Sequence, residues 1–436
     1  LDWKEIYNDR LCSTDDAVKH IKSNTTVFLG HCVGDPTALI EAMIRNKDRY
    51  ENVIMKHMVR LGPVDFTAPE MEGHFIDTPI FASGNNRVAL AEGRADFTPT
   101  FFHEVPKQIR EGKQKIDAAL VMVTPPDKKG YCSLGVAVDY TKQAIESAPL
   151  VIAQINENMP MTYGDTFVHV SEFDYITEAD TPLYELKSMD VSDTEKAIGR
   201  NCASLIEDGS TLQLGIGGIP DAVMLFLTDK NDLGIHSEMI ADGTLALWDQ
   251  GVITNKMKSE NKGKMTVTFL MGTRKLYDFA HENHALELYP VDYVNHPMTV
   301  MRQHKMVSVN SAMQVDLMGQ ANAESIGLRQ FSAVGGQVDF VRGTAMSDEG
   351  KAIIAMPSVT VKKDGTMISK IVPFLDQGAA VTTSRCDIDY IVTENGIAEL
   401  KGETLRERAR NLISIAHPDM QDELKEEFKR RFKEKY

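Results

Sequence analysis

The chain has 436 residues, room for roughly two to three domains whose cores need no disulfide or metal staple. Sixty-three acidic against 47 basic residues leave a net charge of −16, which argues against a nucleic-acid binder or a membrane-surface protein, and no apolar run reaches the ~18 residues of a membrane span. Five cysteines, Cys12, Cys32, Cys132, Cys202 and Cys386, are odd in number and widely spaced, so no disulfide framework or zinc site is expected and a cytoplasmic location is.

Along the chain, Leu1-Asp2-Trp3-Lys4-Glu5 does not read as a signal peptide. Ser13-Thr14-Asp15-Asp16 predicts the cap of a helix carrying Ala17, Val18 and Ile21. A strand over 26–30, a loop over 31–36 and a helix through Ala38, Leu39 and Met43 follow. Apolar runs at 118–123 and 150–154 read as buried strands. A boundary is expected over 187–192, dividing the chain into domains 1–188 and 189–436.

The second half opens as the first does. Ser192-x-x-Glu195 is a capping box, the helix carries Ile198, Cys202 and Leu205, and Gly209 is its expected stop. A strand over 211–215, a loop over 216–220 and a helix from Asp221 come next. Both copies share Thr, Leu-Gly and Pro-x-Ala, which reads as duplication of one α/β unit. Further strands are expected at 265–270, 306–309, 352–355, 379–382 and 390–393, and Leu424, Phe428 and Phe432 mark an amphipathic terminal helix. Short apolar runs alternating with helical patterns predict an α/β class with mostly parallel, open sheets.

Leu214-Gly215-Ile216-Gly217-Gly218-Ile219-Pro220 ends a strand and opens a helix. Glycines let backbone approach a ligand, and exposed N–H groups at a helix start favour an anion. A tight β-α turn without a ligand is the plainer alternative. A dinucleotide fold is a rival, because Gly215-x-Gly217 begins the G-x-G-x-x-G pattern, but Pro220 stands at the third glycine. Glu238 ends the short strand Leu233-Gly234-Ile235-His236-Ser237, which would deliver a carboxylate to the C-terminal edge of a sheet, where ligands of open α/β sheets bind. It also reads as a surface acid, and His236-x-Glu238 as half a metal site, though the other histidines show no ligand spacing. A second glycine pair, Gly335-Gly336, follows Phe331-Ser332.

These motifs resemble the acetyl-CoA hydrolase/transferase family, the class I CoA-transferases. The resemblance rests on Leu214–Pro220, Gly234-Ile-His-Ser-Glu-Met239, Phe331-Ser-Ala-Val-Gly-Gly-Gln-Val-Asp-Phe340, Val381-Thr-Thr-Ser-Arg385, Ile391-Val-Thr-Glu-Asn-Gly-Ile-Ala398 and Ile415-Ala-His-Pro-Asp419, and it covers the whole chain. Phe101-Phe-His-Glu-Val-Pro106 and Tyr163-Gly-Asp-Thr-Phe-Val-His169 resemble its 4-hydroxybutyrate subgroup.

The resemblance implies two Rossmann-like open-sheet domains and a homodimer. It implies Glu238 as nucleophile, acyl-CoA and short-chain carboxylates as substrates, and neither metal nor nicotinamide. A glutamate with a reference pKa of about 4.3 is already anionic at neutral pH, so no adjacent base is required. By the same resemblance, Gly215, Ile216, Gly217, Gly218, Ile219, Met313, Gly336, Asn310 and Lys370 are expected at coenzyme A. Gln213, Gln337, His31 and Met58 are expected around the acyl group, with core packing the plainer reading of His31 and Met58. Gly34-Asp35 departs from some relatives and bears on acyl specificity. Transfer between 4-hydroxybutyrate or butyrate and acetate, hydrolysis of acyl-CoA, and non-catalytic binding on the same scaffold remain open at this point.

Overall fold

The computed structural model describes residues 2–63, 65–188 and 190–436; Leu1 and, within the expected boundary, Met189 lie outside the described residues. Two compact units form, one from the chain up to Lys187 with Lys264–Val294, the other from Ser188–Gly263 with Asn295–Tyr436. The continuous division at 188/189 is therefore corrected: residues 264–294 pack with the first unit. The reason is backbone pairing, because Leu286–Leu288 joins Tyr163–Gly164 in parallel and Val138 N–H donates to Thr268 O at 3.0 Å.

In the first unit, Ser13 Oγ accepts the Asp16 N–H and opens α1 (Thr14–Val18). Six parallel strands follow: β1 (Thr26–Leu29), β2 (Val53–His57), β3 (Phe75–Pro79), β4 (Ala118–Val123), β5 (Val151–Ile155) and β6 (Tyr175–Glu178), in the order β3-β2-β1-β4-β5-β6. Every residue of β1, β4 and β5 is buried, which is why these strands read as continuous apolar runs. β2 and β3 lie toward one edge and alternate buried with half-buried residues, so no apolar run marked them. Helix α2 (Thr37–Arg45) buries Leu39, Ile40, Ala42 and Met43 in one core with Val27, Leu29, Val53 and Met55.

The expected 265–270 strand is two short pieces, Met265–Val267 and Phe269–Leu270, outside the six-stranded sheet. Asp35, in the first loop, is buried and paired with buried Arg60, Nη2 to Oδ2 at 3.0 Å and Nε to Oδ1 at 3.3 Å. Its carboxylate is thus engaged in holding the loop. Arg60→Met should leave a buried uncompensated carboxylate and lower unfolding free energy by about 3–5 kcal/mol, with Asp35→Asn restoring part of the loss. Urea titrations of the single and double variants measure it.

In the second unit, the Ser192/Glu195 capping box is fully formed and opens α3 (Asp193–Ser204). The strands are β7 (Thr211–Leu214), β8 (Gly234–Ile235), β9 (Met306–Asn310), β10 (Lys351–Ala355), β11 (Tyr390–Thr393) and β12 (Gly396–Glu399), in the order β8-β7-β9-β10-β11-β12. All pairs are parallel except β11–β12. Residues 379–382 form no strand; only Thr383 bridges, to Ala321.

Helices α4 (Gly218–Leu225), α5 (Gln337–Met346), α6 (Leu405–Ser414) and α7 (Gln421–Phe432) complete the elements used below. Leu424 and Phe428 of α7 are buried in a core with Leu412, Ile413, Ile391 and Leu400, and partly buried Phe432 packs against it. Each unit thus starts from a capped helix and a first strand inside a six-stranded sheet, a layout that agrees with duplication. The order reverses between β1 and β4 in one sheet and between β7 and β9 in the other. In such sheets the crevice beyond the C-terminal strand ends at that reversal takes ligands.

Candidate active site

Glu238 lies three residues beyond the end of edge strand β8. Parallel pairing of Leu212 with Ile235 brings His236 N–H to Leu212 O at 3.1 Å and Ser237 Oγ to Leu214 O at 3.2 Å. The nucleophile candidate and the glycine loop therefore leave adjacent strands at one sheet edge. Asn295, fully buried, donates from Nδ2 to Glu238 Oε2 at 2.7 Å. Asn295 Oδ1 is buried without a hydrogen-bond partner.

Gly336 caps α5 and lies hard against the same carboxylate. A Cβ there would stand 1.9 Å from Glu238 Oε2 and 2.4 Å from Asn295 Nδ2. Glu238, Asn295 and Gly336 thus come together from three distant segments. The Gly336 N–H donates to no protein acceptor among the described residues. The same holds for Gly215, Ile216 and Gly217, where Gly217 has φ +109° and Ile216 is exposed. Free N–H groups beside a carboxylate nucleophile can receive a developing oxyanion.

Helix α4 starts at Gly218, ahead of the expected Asp221. A Cβ on Gly218 would stand 1.9 Å from Glu195 Oε1. Burial, with Asp242 and Glu195 nearby, holds the Asp221 carboxyl above the usual range.

Gln213 Oε1 accepts from Asn310 Nδ2 at 3.0 Å across the β7/β9 reversal, so these two predicted residues meet. Gln337 Nε2 donates to Thr383 Oγ1 at 3.1 Å. Met313 N–H donates to Asn322 O, and two residues on Val315 N–H donates to Lys370 O, each at 2.8 Å. Lys370 is half-buried, and burial pushes its ammonium below the ordinary range, opposed by Glu394.

His31 and Met58 belong to the first unit and are 1% and 2% exposed. His31 Nδ1 meets Asp139 Oδ2 at 2.9 Å, with Phe102 and Phe269 rings edge-on. Met58 N–H donates to the Tyr140 hydroxyl at 3.3 Å. Both therefore have defined packing roles there.

Asn295 was not legible in the sequence: it lies in Val294-Asn295-His296-Pro297, a segment with no glycine signature, 57 residues beyond Glu238. Among the described residues no group of three or more His, Cys, Asp or Glu could hold a metal, and no helix is long and apolar enough to cross a membrane.

Glu324 is a buried acid whose carboxyl is pushed above the usual range by burial. A raised folded-state pKa disfavours the folded state above that pKa and not below the unfolded value. Glu324→Gln should therefore raise the unfolding temperature at pH 7. The gain should vanish as pH falls through the ordinary carboxylate range, measured by calorimetry across pH.

The acetyl-CoA hydrolase/transferase N-terminal domain matches residues 2–184 and the C-terminal domain of the same family matches residues 272–428. The chain is 55% identical over 432 residues to the 4-hydroxybutyrate coenzyme A transferase of Clostridium kluyveri, covering 99% of this chain and 100% of that one. It is 36% identical over 431 residues to the butyryl-CoA:acetate CoA-transferase of Anaerostipes caccae, covering 97% of each. The crystal structure of a 4-hydroxybutyrate CoA-transferase from Porphyromonas gingivalis superposes with a TM-score of 0.85 at 42% identity, over 99% of this chain and 100% of that one.

Proposed function

The chain belongs to the acetyl-CoA hydrolase/transferase family, and from that premise we propose a CoA-transferase that moves CoA between an acyl-CoA and a short-chain carboxylate, with Glu238 as nucleophile. The observation that carries this reading is the Glu238 carboxylate at the sheet edge, held by Asn295 Nδ2 and packed on Gly336, beside a loop of unengaged N–H groups.

A Glu238 oxygen attacks the thioester carbonyl. The C–S bond breaks, CoA leaves as thiolate, and an acyl-glutamyl anhydride remains. The thiolate then attacks the glutamyl carbonyl and expels the donor acid as carboxylate, leaving a glutamyl-CoA thioester. An acceptor carboxylate runs the steps in reverse. No net proton is consumed, and thioester energy is conserved.

Gly215 through Ile219 and Gly336 lie toward the reacting carbonyl, where N–H donors stabilise tetrahedral oxyanions. Met313, Asn310 and Lys370 lie along coenzyme A, with the Lys370 ammonium suited to a phosphate. Gln213 and Gln337 flank the acyl group. The names of the relatives support 4-hydroxybutyrate or butyrate, with acetate, as the acids exchanged. A homodimer in the cytoplasm completes the reading, and light scattering checks the dimer.

Incubation with butyryl-CoA alone, digestion and mass spectrometry should find CoA covalently attached to the peptide containing Glu238. An unmodified peptide would sink the mechanism. CoA release that needs no added carboxylate would make the protein a hydrolase instead.

A further inference from the structure

Edge strand β8 has one neighbour, β7, so the backbone groups on its other side must find partners elsewhere or be left dry and unsatisfied. Gly234 and His236 turn their N–H groups to β7, reaching Ser210 O at 2.9 Å and Leu212 O at 3.1 Å. The Ile235 peptide groups point the other way. Ile235 N–H donates to Asn255 Oδ1 at 2.9 Å, and Ile235 O accepts from Lys258 Nζ at 2.7 Å.

Both side chains belong to the built interior. Asn255 is fully buried, with φ +57°, and Lys258 is 2% exposed. The Lys258 stem fills the space over Gly234, where a Cβ would stand 2.5 Å from Cγ. The segment carrying them is itself tied down. Thr254 and Asn255 N–H donate to Leu233 O, each at 3.0 Å. Ser259 and Glu260 N–H donate to Gln303 Oε1, and Gln303 Nε2 meets His236 Nδ1 at 3.3 Å.

The Lys258 ammonium is buried at the edge of β8, where a charge is tolerated only with its hydrogen-bond partners in place. Ile235 stands three residues before Glu238, at most about 10 Å of extended chain. We propose that Lys258 is a positioning residue for the nucleophile. With Asn255 it clamps both groups of the Ile235 peptide and so fixes where the His236-Ser237-Glu238 segment leaves the sheet. The charged donor makes the clamp stiffer than a neutral one, because charge-assisted hydrogen bonds are shorter and stronger. A nucleophile misplaced by about 1 Å loses roughly 10²-fold in rate, so rigidity here acts on the acylation step.

The inference rests on Glu238 as the nucleophile, and its test separates the two ideas. Wild type, Lys258→Met and Asn255→Gly are mixed with butyryl-CoA and quenched over time, and the CoA adduct on the Glu238 peptide is followed by mass spectrometry. KM for butyryl-CoA and the unfolding midpoint are measured alongside. Methionine keeps the stem and removes the donor; glycine removes the acceptor while tolerating positive φ. Lys258→Met should remain folded, keep KM within about threefold, and form the adduct about 10- to 100-fold more slowly. Asn255→Gly should show the same split at smaller size.

A purely structural role would lower the midpoint and leave the adduct rate of the folded fraction unchanged, which overturns the inference. Should the Lys258→Met chain not fold, Asn255→Gly decides alone: a slowed adduct supports the clamp, a wild-type rate overturns it. Absence of the adduct in wild type would instead sink the Glu238 mechanism itself.

Discussion

Glu238→Gln is expected to abolish transfer, with turnover falling at least about 10³-fold, and to remove the covalent CoA adduct altogether. The substitution keeps the shape of the side chain. The amide oxygen can still accept the Asn295 Nδ2 hydrogen bond that the carboxylate accepts at 2.7 Å. What is lost is the negative charge that the proposed attack on the thioester requires. At about 1.36 kcal/mol per tenfold, the expected loss is roughly 4 kcal/mol or more of barrier stabilisation. Acyl-CoA affinity should change little, because the expected coenzyme contacts lie on other segments. Steady-state kinetics with butyryl-CoA and acetate, beside a binding titration, separate these outcomes. Full activity in this variant would overturn the role assigned to Glu238.

Gly336→Ala carries the second large effect. The backbone at Gly336, φ −94° and ψ 2°, is open to alanine, so the local chain need not be strained. The added methyl would stand 1.9 Å from Glu238 Oε2 and 2.4 Å from Asn295 Nδ2, far inside contact distance. Glu238 is only half-buried, so its carboxylate is the part that gives way. A displacement of about 1 Å or more should cost about 10²-fold in turnover while the unfolding midpoint stays near wild type. Unchanged turnover would mean that Gly336 serves only the start of α5.

Much of the site's chemistry was visible in the linear chain. Gly215-Ile216-Gly217-Gly218 and Gly335-Gly336 are legible because glycine marks positions where backbone must come close to something. The Ser192 capping box is legible because its partners are three residues apart. β1, β4 and β5 are legible because strands covered on both faces carry unbroken apolar runs. β2 and β3 were missed because half-covered strands mix polar residues into the run. The expected strand at 379–382 failed for the opposite reason: a short apolar stretch carries no record of whether a partner strand lies beside it.

Motif and composition by themselves determined the α/β class, the acidic balance that disfavours nucleic acid and the family resemblance, which points to Glu238 among 63 acids. Tertiary structure alone decided that 264–294 belongs with the first unit and that Asn295 holds the carboxylate. It alone showed that Gly336 is a glycine because Glu238 and Asn295 occupy the space of its side chain, and that Asn255 and Lys258 close the edge of β8. The physical reason is range. Caps, turns and burial patterns act between residues a few positions apart and leave a local signature. The contacts around Ile235 and the Glu238 carboxylate join segments about 20 to 100 residues apart, and the chain records only their members.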